Sequence, residues 1–213
     1  MDKNISFVIE KKVEKTIENL KKNGMNGYFV QDRSAALAKV KELIAPGQRV
    51  AVGGSMTIFE IGAIDLFRNG DYNFLDRYDE SLKPEELKNV FRQSFLADVF
   101  VASTNAITEN GELYNVDGNG NRVAAITYGP DKVILIAGIN KLTTDLDQAA
   151  QRVKSISRPA NCVRLRCQTP CVKTGYCAEC ASADRICNIF SVIKKQRDHG
   201  RLHVIIVNEN LGY

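Results

Sequence analysis

Four short runs set the strongest limit on the fold. RVAV at 49–52, DVFVA at 98–102, KVILIAG at 132–138 and LHVIIV at 202–207 are almost wholly apolar and rich in β-branched residues. A strand with one wet face alternates apolar and polar residues, whereas a strand covered on both faces reads as an unbroken apolar run. The segments between these runs carry apolar residues at helical spacing. Strands that alternate with helices predict an α/β fold, with a mainly parallel sheet and helices on both faces.

Ile5, Val8, Ile9, Val13, Ile17 and Leu20 predict a helix over 4–23 that stops at Asn23-Gly24. GYFVQD follows as a short strand, and Asp32 or Ser34 can cap a helix over RSAALAKVKELIA. A helix is expected around 57–67, a strand near YNFLD, and a helix over 84–95 with Pro84 in its first turn. AITENGELYNVD reads as extended chain with a turn at Asn110-Gly111, and NGNRVAAITYG as a brief helix after a glycine-rich corner. TTDLDQAAQRVKSI is expected to be a helix capped by Thr144, and IFSVIKKQR a further helix before the last strand.

The chain has 213 residues, 44% of them hydrophobic, enough to bury one core. It reads as a single domain over 1–213 with a cysteine-rich insertion at about 160–188. The formal charge of +4 is mild, and Lys and Arg are interspersed with Asp and Glu, so nucleic acid is not an expected partner. The exception is the stretch of Arg152, Lys154, Arg158, Arg164 and Arg166, where no acid intervenes; it can face an anion, a partner or only solvent. The first 24 residues mix charges into their apolar pattern, and no apolar run approaches the ~20 residues that span a bilayer. The expectation is a cytoplasmic protein without a membrane segment.

All six cysteines fall between 162 and 187, spaced Cys162-x4-Cys167-x3-Cys171-x5-Cys177-x2-Cys180-x6-Cys187. In a reducing compartment such a group points to metal ligands or redox thiols rather than structural disulfides. Four thiolates within a short span can wrap one iron–sulfur cluster. A zinc site generally uses two short chelating pairs, and only Cys177 and Cys180 form one here. Spacing therefore favours a [4Fe-4S] cluster on Cys171, Cys177, Cys180 and Cys187, with Cys162 and Cys167 as further ligand candidates. Zinc, a thiol switch and no cofactor at all are the alternatives. The same four-cysteine spacing resembles, in spacing only, the cluster loop of base-excision DNA glycosylases with its outer intervals exchanged.

Gly53-Gly54-Ser55-Met56-Thr57 lies between a buried strand and a helix. Its glycines allow close backbone approach, and Ser55 and Thr57 add hydroxyls, a pattern that suits a small anion and equally suits a tight strand-to-helix turn. It matches neither the dinucleotide fingerprint nor the P-loop. Glu60 can face the same mouth or solvent. Asn105, Thr108, Asp117, Asn119, Asn121 and Arg122 gather on turns expected near the same end of the sheet. Arg122 is the candidate partner for a carboxylate or phosphate, because its planar fork binds such groups bidentately. His199 and His203 are expected in an exposed loop or at a strand entry, so histidine-based acid–base chemistry has little support.

VAVGGSMTIFEIG, STNAITENGELYNVDGNGNRVAAI, GPDKVILIAGINKL and HVIIVNENLGY together resemble the LUD (lactate utilization) domain family, over roughly residues 5–213. The resemblance implies the fold shared by sugar-phosphate isomerases and CoA-transferases. It also implies a place in lactate oxidation, where such proteins accompany iron–sulfur or electron-transfer partners. Related CoA-transferases use a strand-end glutamate as nucleophile, which makes Glu109 the nearest candidate here; a polar or structural role is the alternative. Three functions follow as expectations. One is an iron–sulfur redox or accessory component binding a small 2-hydroxy-acid-like anion. Another is a non-redox isomerase or acyl/CoA transferase, and the third a metal-stapled binding module.

Overall fold

The computed structural model describes residues 2–213. In chain order the elements are α1 (Lys3–Lys22), β1 (Asn26–Val30), α2 (Arg33–Leu43), β2 (Arg49–Val52), α3 (Met56–Glu60), α4 (Ala63–Asn69), β3 (Asn73–Leu75), α5 (Pro84–Gln93), β4 (Val99–Ala102), β5 (Ala106–Thr108) and β6 (Leu113–Asp117). They continue with α6 (Asn121–Tyr128), β7 (Lys132–Gly138), β8 (Leu142–Thr143), α7 (Leu146–Arg152), α8 (Arg158–Arg164), α9 (Pro170–Thr174), β9 (Ile189–Ile193) and β10 (Leu202–Val207).

Six strands form an all-parallel sheet in the order β1-β10-β7-β4-β2-β3, as the apolar runs predict. Because side chains alternate across a strand, each run feeds two cores. Phe100, Ala102, Val133, Leu135, Val204 and Ile206 pack toward α1 and a second, four-stranded sheet. Val99, Val101, Ile134, Ile136, Ile205 and Val207 pack on the other face against α2, α3 and α4. The second sheet runs β8-β5-β6-β9; Ile107, Leu113 and Ile193 turn inward, while Ala106 and Tyr114 meet Ala149 and Val153.

Local signals account for some helix starts. Asp2 accepts from the Asn4 and Ile5 amides at the start of α1, and Asp32 accepts from the Ala35 amide at the start of α2. Three expectations are corrected. The helix expected over 57–67 breaks at Gly62, which takes φ +78, to give α3 and α4. The helix after β8 is capped by Asp145, whose carboxylate accepts from the Gln148 amide, rather than by Thr144. It runs past Ile156, its expected end, through a π-helical turn at Val153–Ser157 into α8, so Cys162 lies on a helix.

A fourth correction concerns IFSVIKKQR, which is not helical: Ile189–Ile193 pairs antiparallel with β6, from Leu113↔Ile193 to Asp117↔Ile189. The far side of β6 would otherwise leave backbone donors and acceptors without partners, and β-branched residues suit the ladder that closes it.

The Asn110-Gly111 turn lies against α1 and away from the Gly53 loop. Asn19 Nδ2 donates to the Glu109 carbonyl at 2.8 Å, and Asn23 Nδ2 to the Asn110 carbonyl at 2.9 Å. Gly111 takes φ +74, and a Cβ there would stand 2.6 Å from the Leu20 amide nitrogen. Gly111→Ala is therefore expected to cost at least ~2 kcal/mol of stability, from backbone strain and the clash with α1. Urea denaturation followed by circular dichroism checks it.

Candidate functional site

In parallel α/β sheets the loops after the strands converge at their carboxyl ends. Here Gly53–Ser55 follows β2, Ser103–Asn105 follows β4, Ile139–Lys141 follows β7, and the tail ending at Tyr213 follows β10. A polar cleft of about 80 Å³ lies among them, lined by Gly54, Ser55, Ser103, Asn105, Lys141 and Tyr213, with Asn161 and Arg164 arriving from α8. It shares Gly54, Asp117, Arg122, Asn161 and Arg164 with an outer recess of about 260 Å³ that reaches Arg77, Asn121 and Ile186.

The expected anion loop divides its labour. The Gly53 amide donates to the Val101 carbonyl at 2.9 Å, extending the sheet, and a Cβ at Gly53 would meet Ala102 Cβ at 2.9 Å and Arg122 Cγ at 3.0 Å. Gly53 thus supplies packing space for Arg122, not a ligand contact. Gly54 is exposed to the cleft, with the Arg77 guanidinium about one side-chain contact away, at 3.6 Å from its would-be Cβ. Ser55 also lines the cleft. Thr57 is fully buried, donates to the Leu211 carbonyl at 3.4 Å and accepts from Lys141 Nζ at 2.9 Å. Glu60 accepts from the Gly212 amide at 2.7 Å, so it pins the tail.

Arg122 is where the sequence reading departs most from the geometry. Its Nη1 donates to the Ser103 carbonyl at 2.9 Å and Asn115 Oδ1 at 2.7 Å; its Nη2 donates to Asn105 Oδ1 at 3.0 Å and the Val116 carbonyl at 2.9 Å. Nε lies 3.6 Å from Asp117 Oδ1. With its fork occupied by these acceptors, Arg122 ties β4, β6 and α6 together and forms a wall of the cleft. Asn105 is its partner, and also accepts from the Val116 amide at 2.9 Å. Asn121 stands in the outer recess. Glu109 lies elsewhere: it pairs with Lys15 at 3.0 Å and Lys12 at 3.5 Å on α1 and lines neither the cleft nor the recess.

Several cleft residues have no sequence motif. Arg77 stacks 4.5 Å from the Phe91 ring centroid and 5.4 Å from Tyr78, and its Nε is buried without a hydrogen-bond partner. Burial holds its pKa below the ordinary arginine value. The Tyr213 hydroxyl is likewise buried, with Arg164 beside it; burial raises its pKa and Arg164 draws it back in part. Lys141 is 2% exposed, and its pKa is lowered to about 7 by burial first and then by Arg152 and Arg122. Only GINKL, a polar pair closing a buried strand, signals Lys141 in the sequence.

The LUD domain model matches residues 13–207, most of the chain and all but the tail of the cleft's strand-end loops. The chain belongs to the LUD domain family. That family is associated with lactate utilization. Comparison with curated proteins gave no match. Among solved structures, a DUF162 family protein from Deinococcus radiodurans is similar, with TM-score 0.52 and 14% identity, covering 94% of this chain and 96% of that one. At that identity the likeness is one of fold.

In this LUD domain the cysteine segment forms a second cavity behind the cleft. Cys162, Cys171, Cys177, Cys180 and Cys187 line it together with Thr169, Arg158, Arg185 and Ile186. Cys167 packs behind, against Cys162 and Cys171. Burial pushes the Cys162 thiol up to about 12 and raises Cys167 as well. Arg158 Nη1 sits 3.6 Å from Cys177 Sγ. Arg185 donates to the carbonyls of Cys180 and Cys187 at 2.8 and 2.9 Å, strapping two thiol-bearing turns together. As they stand, no three His, Cys, Asp or Glu side chains among the described residues converge on a single-ion site.

The basic stretch is not acid-free in space: Lys154 and Arg158 both meet Glu179, at 3.1 and 3.3 Å. Arg152 instead turns inward, donating to the carbonyls of Asn140 and Asn105, both at 2.7 Å. His203 stands at the entry of β10, as expected of a strand-entry residue, and is buried there, stacked on Tyr28 and remote from the strand-end loops. No helix among the described residues is long and apolar enough to cross a membrane.

Proposed function

We propose that this LUD domain is a redox component of 2-hydroxy-acid metabolism, holding a small carboxylate ligand in the cleft and an iron–sulfur cluster in the adjoining thiol cavity. One observation carries the reading: a single helical segment is the wall between the two. Ser157, Asn161 and Arg164 line the cleft, whereas Arg158 and Cys162 line the thiol cavity, each set at the spacing that shares a helix face. Ile186 faces both the outer recess and the thiol cavity.

The support for the group is its donor set, whose thiols would have to draw together to hold it, since no three of them converge among the described residues as they stand. Five thiols line one small, almost wholly apolar cavity, and Cys171, Cys177, Cys180 and Cys187 remain the favoured ligands, with Cys162 now beside them. A bound cluster supplies one-electron transfer. Arg158 and Arg185 offset the negative charge of deprotonated thiols, and the apolar lining keeps water away. On the cleft side, Arg77 is the guanidinium with uncommitted donors, and Phe91 and Tyr78 hold its plane for a carboxylate.

Anaerobic purification followed by iron, sulfide and zinc analysis tests the cluster. Iron and sulfide in equal amounts, lost in the Cys177→Ser/Cys180→Ser double variant, is the expected result; zinc alone, or full metal retention in that variant, overturns it. For the cleft, Arg77→Ala is expected to weaken lactate binding about ten-fold or more by calorimetry. Unchanged affinity would remove Arg77 from the site.

A further inference from the structure

We infer that Lys141 is a nucleophile that captures the carbonyl carbon of a 2-oxo acid held in the cleft, as an imine on Nζ. The inference deepens the proposed carboxylate cleft and rests on it. Nζ lies 2.9 Å from Thr57 Oγ1 and 2.9 Å from Ser103 Oγ. Each hydroxyl already directs its own hydrogen to a carbonyl, Thr57 to Leu211 at 3.4 Å and Ser103 to Thr104 at 3.1 Å. Both contacts are therefore donated by the amine. A neutral amine has two hydrogens, and both are placed, which leaves its lone pair as the group's remaining direction of interaction.

The surroundings favour that neutral form. Among the described residues no carboxylate forms an ion pair with Lys141; Glu60, the one acid whose charge favours the protonated form, accepts from the Gly212 amide, while Arg152 and Arg122 add positive field. An amine taken out of water with cationic neighbours loses its proton easily, which is how lysine becomes a nucleophile. Gly212 makes the enclosure feasible, because a Cβ there would stand 2.6 Å from Thr57 Oγ1 and 3.3 Å from Nζ. The same cleft offers Arg164 and, from the recess, Arg77 to a carboxylate adjacent to the carbonyl. This combination selects a 2-oxo acid over an isolated ketone or a simple carboxylate.

The step balances without an oxidant. The Nζ lone pair forms the carbon–nitrogen bond, and the carbonyl π pair moves to oxygen, which takes one proton as nitrogen gives one up. The resulting carbinolamine loses its hydroxyl with a further proton as water, and nitrogen gives up its second hydrogen to form the imine. The Tyr213 hydroxyl, which lines the same cleft beside Arg164, is the group that relays the proton to oxygen.

The full-length protein is incubated with pyruvate and cyanoborohydride, then analysed by intact mass and tandem peptide mapping. One reduced pyruvate adduct mapped to Lys141, suppressed by excess lactate and absent from Lys141→Arg, is the expected result. Mapping on the wild-type chain keeps the test decisive if the variant folds poorly. Adducts spread over surface lysines, or none at Lys141, overturn the inference. Lactate calorimetry on the same sample separates the two levels: lactate binding without a Lys141 adduct rejects the nucleophile and leaves the cleft standing, whereas no binding and no adduct rejects both.

Discussion

Arg122→Ala is expected to lower the free energy of unfolding by about 3–5 kcal/mol, the range for removing one partner of a buried charged network. The loss has two parts. Four acceptors, the carbonyls of Ser103 and Val116 and the side-chain oxygens of Asn105 and Asn115, lose the donors that Arg122 gives them, though Asn105 Oδ1 keeps the Val116 amide. The apolar stem that fills the space beside Gly53 disappears as well. Arg122→Met restores the stem alone and Arg122→Lys the stem and charge without the two-pronged fork, so both are expected between alanine and wild type. Urea denaturation measures the series. If Arg122→Ala instead keeps full stability and only weakens lactate binding, the guanidinium serves the ligand and not the wall.

Lys141 is expected to make stability climb with pH from about 7 upward, its own contribution running to 10.5, and Lys141→Met is expected to abolish that climb. The folded pKa of Lys141 lies at about 7 and its ordinary value at 10.5. Between those limits the unfolded chain binds the proton that the folded chain has lost, so the unfolding free energy rises as pH rises. Below about 7 both states are protonated, the slope vanishes and the full cost of a buried ammonium is present. Above 10.5 neither is protonated and the cost is gone. One pKa unit corresponds to about 1.4 kcal/mol, so the whole window is worth roughly 4–5 kcal/mol. Cys162, pushed up to about 12 from 9.0, gives an opposite slope that begins at about pH 9, inside the same window, so the wild-type climb is clearest between about 7 and 9. Comparing wild type with Lys141→Met cancels that contribution, along with those of Arg152, Arg122 and Glu60 around the amine. Parallel stability profiles for the two proteins across this window would refute the shift.

The central sheet was legible in the sequence because burial on both faces leaves a mark that needs no knowledge of neighbours: RVAV, DVFVA, KVILIAG and LHVIIV have no wet side to accommodate polar residues. Helix starts were legible where a short polar side chain satisfies its own backbone, as at Asp32. The same locality made Gly54, Ser55 and Asn105 findable, since loops after parallel strands gather at one end whatever the order of the strands.

What those residues meet was set by the strand order. Placing β10 between β1 and β7 brings Tyr213 to the loops after β2 and β4, and the long α7–α8 helix delivers Asn161 and Arg164 to the same place. Residues distant in sequence thereby form one cleft with no shared motif. β9 became a strand because β6 offered it a ladder, a demand invisible in IFSVIKKQR itself. Arg122 and Lys141 make the point most sharply. Composition shows two cations at turns, but whether a cation faces a ligand or serves the wall depends on which acceptors the fold brings within 3 Å of it. Burial then decides whether Lys141 keeps its proton, and burial is a property of the packed chain alone.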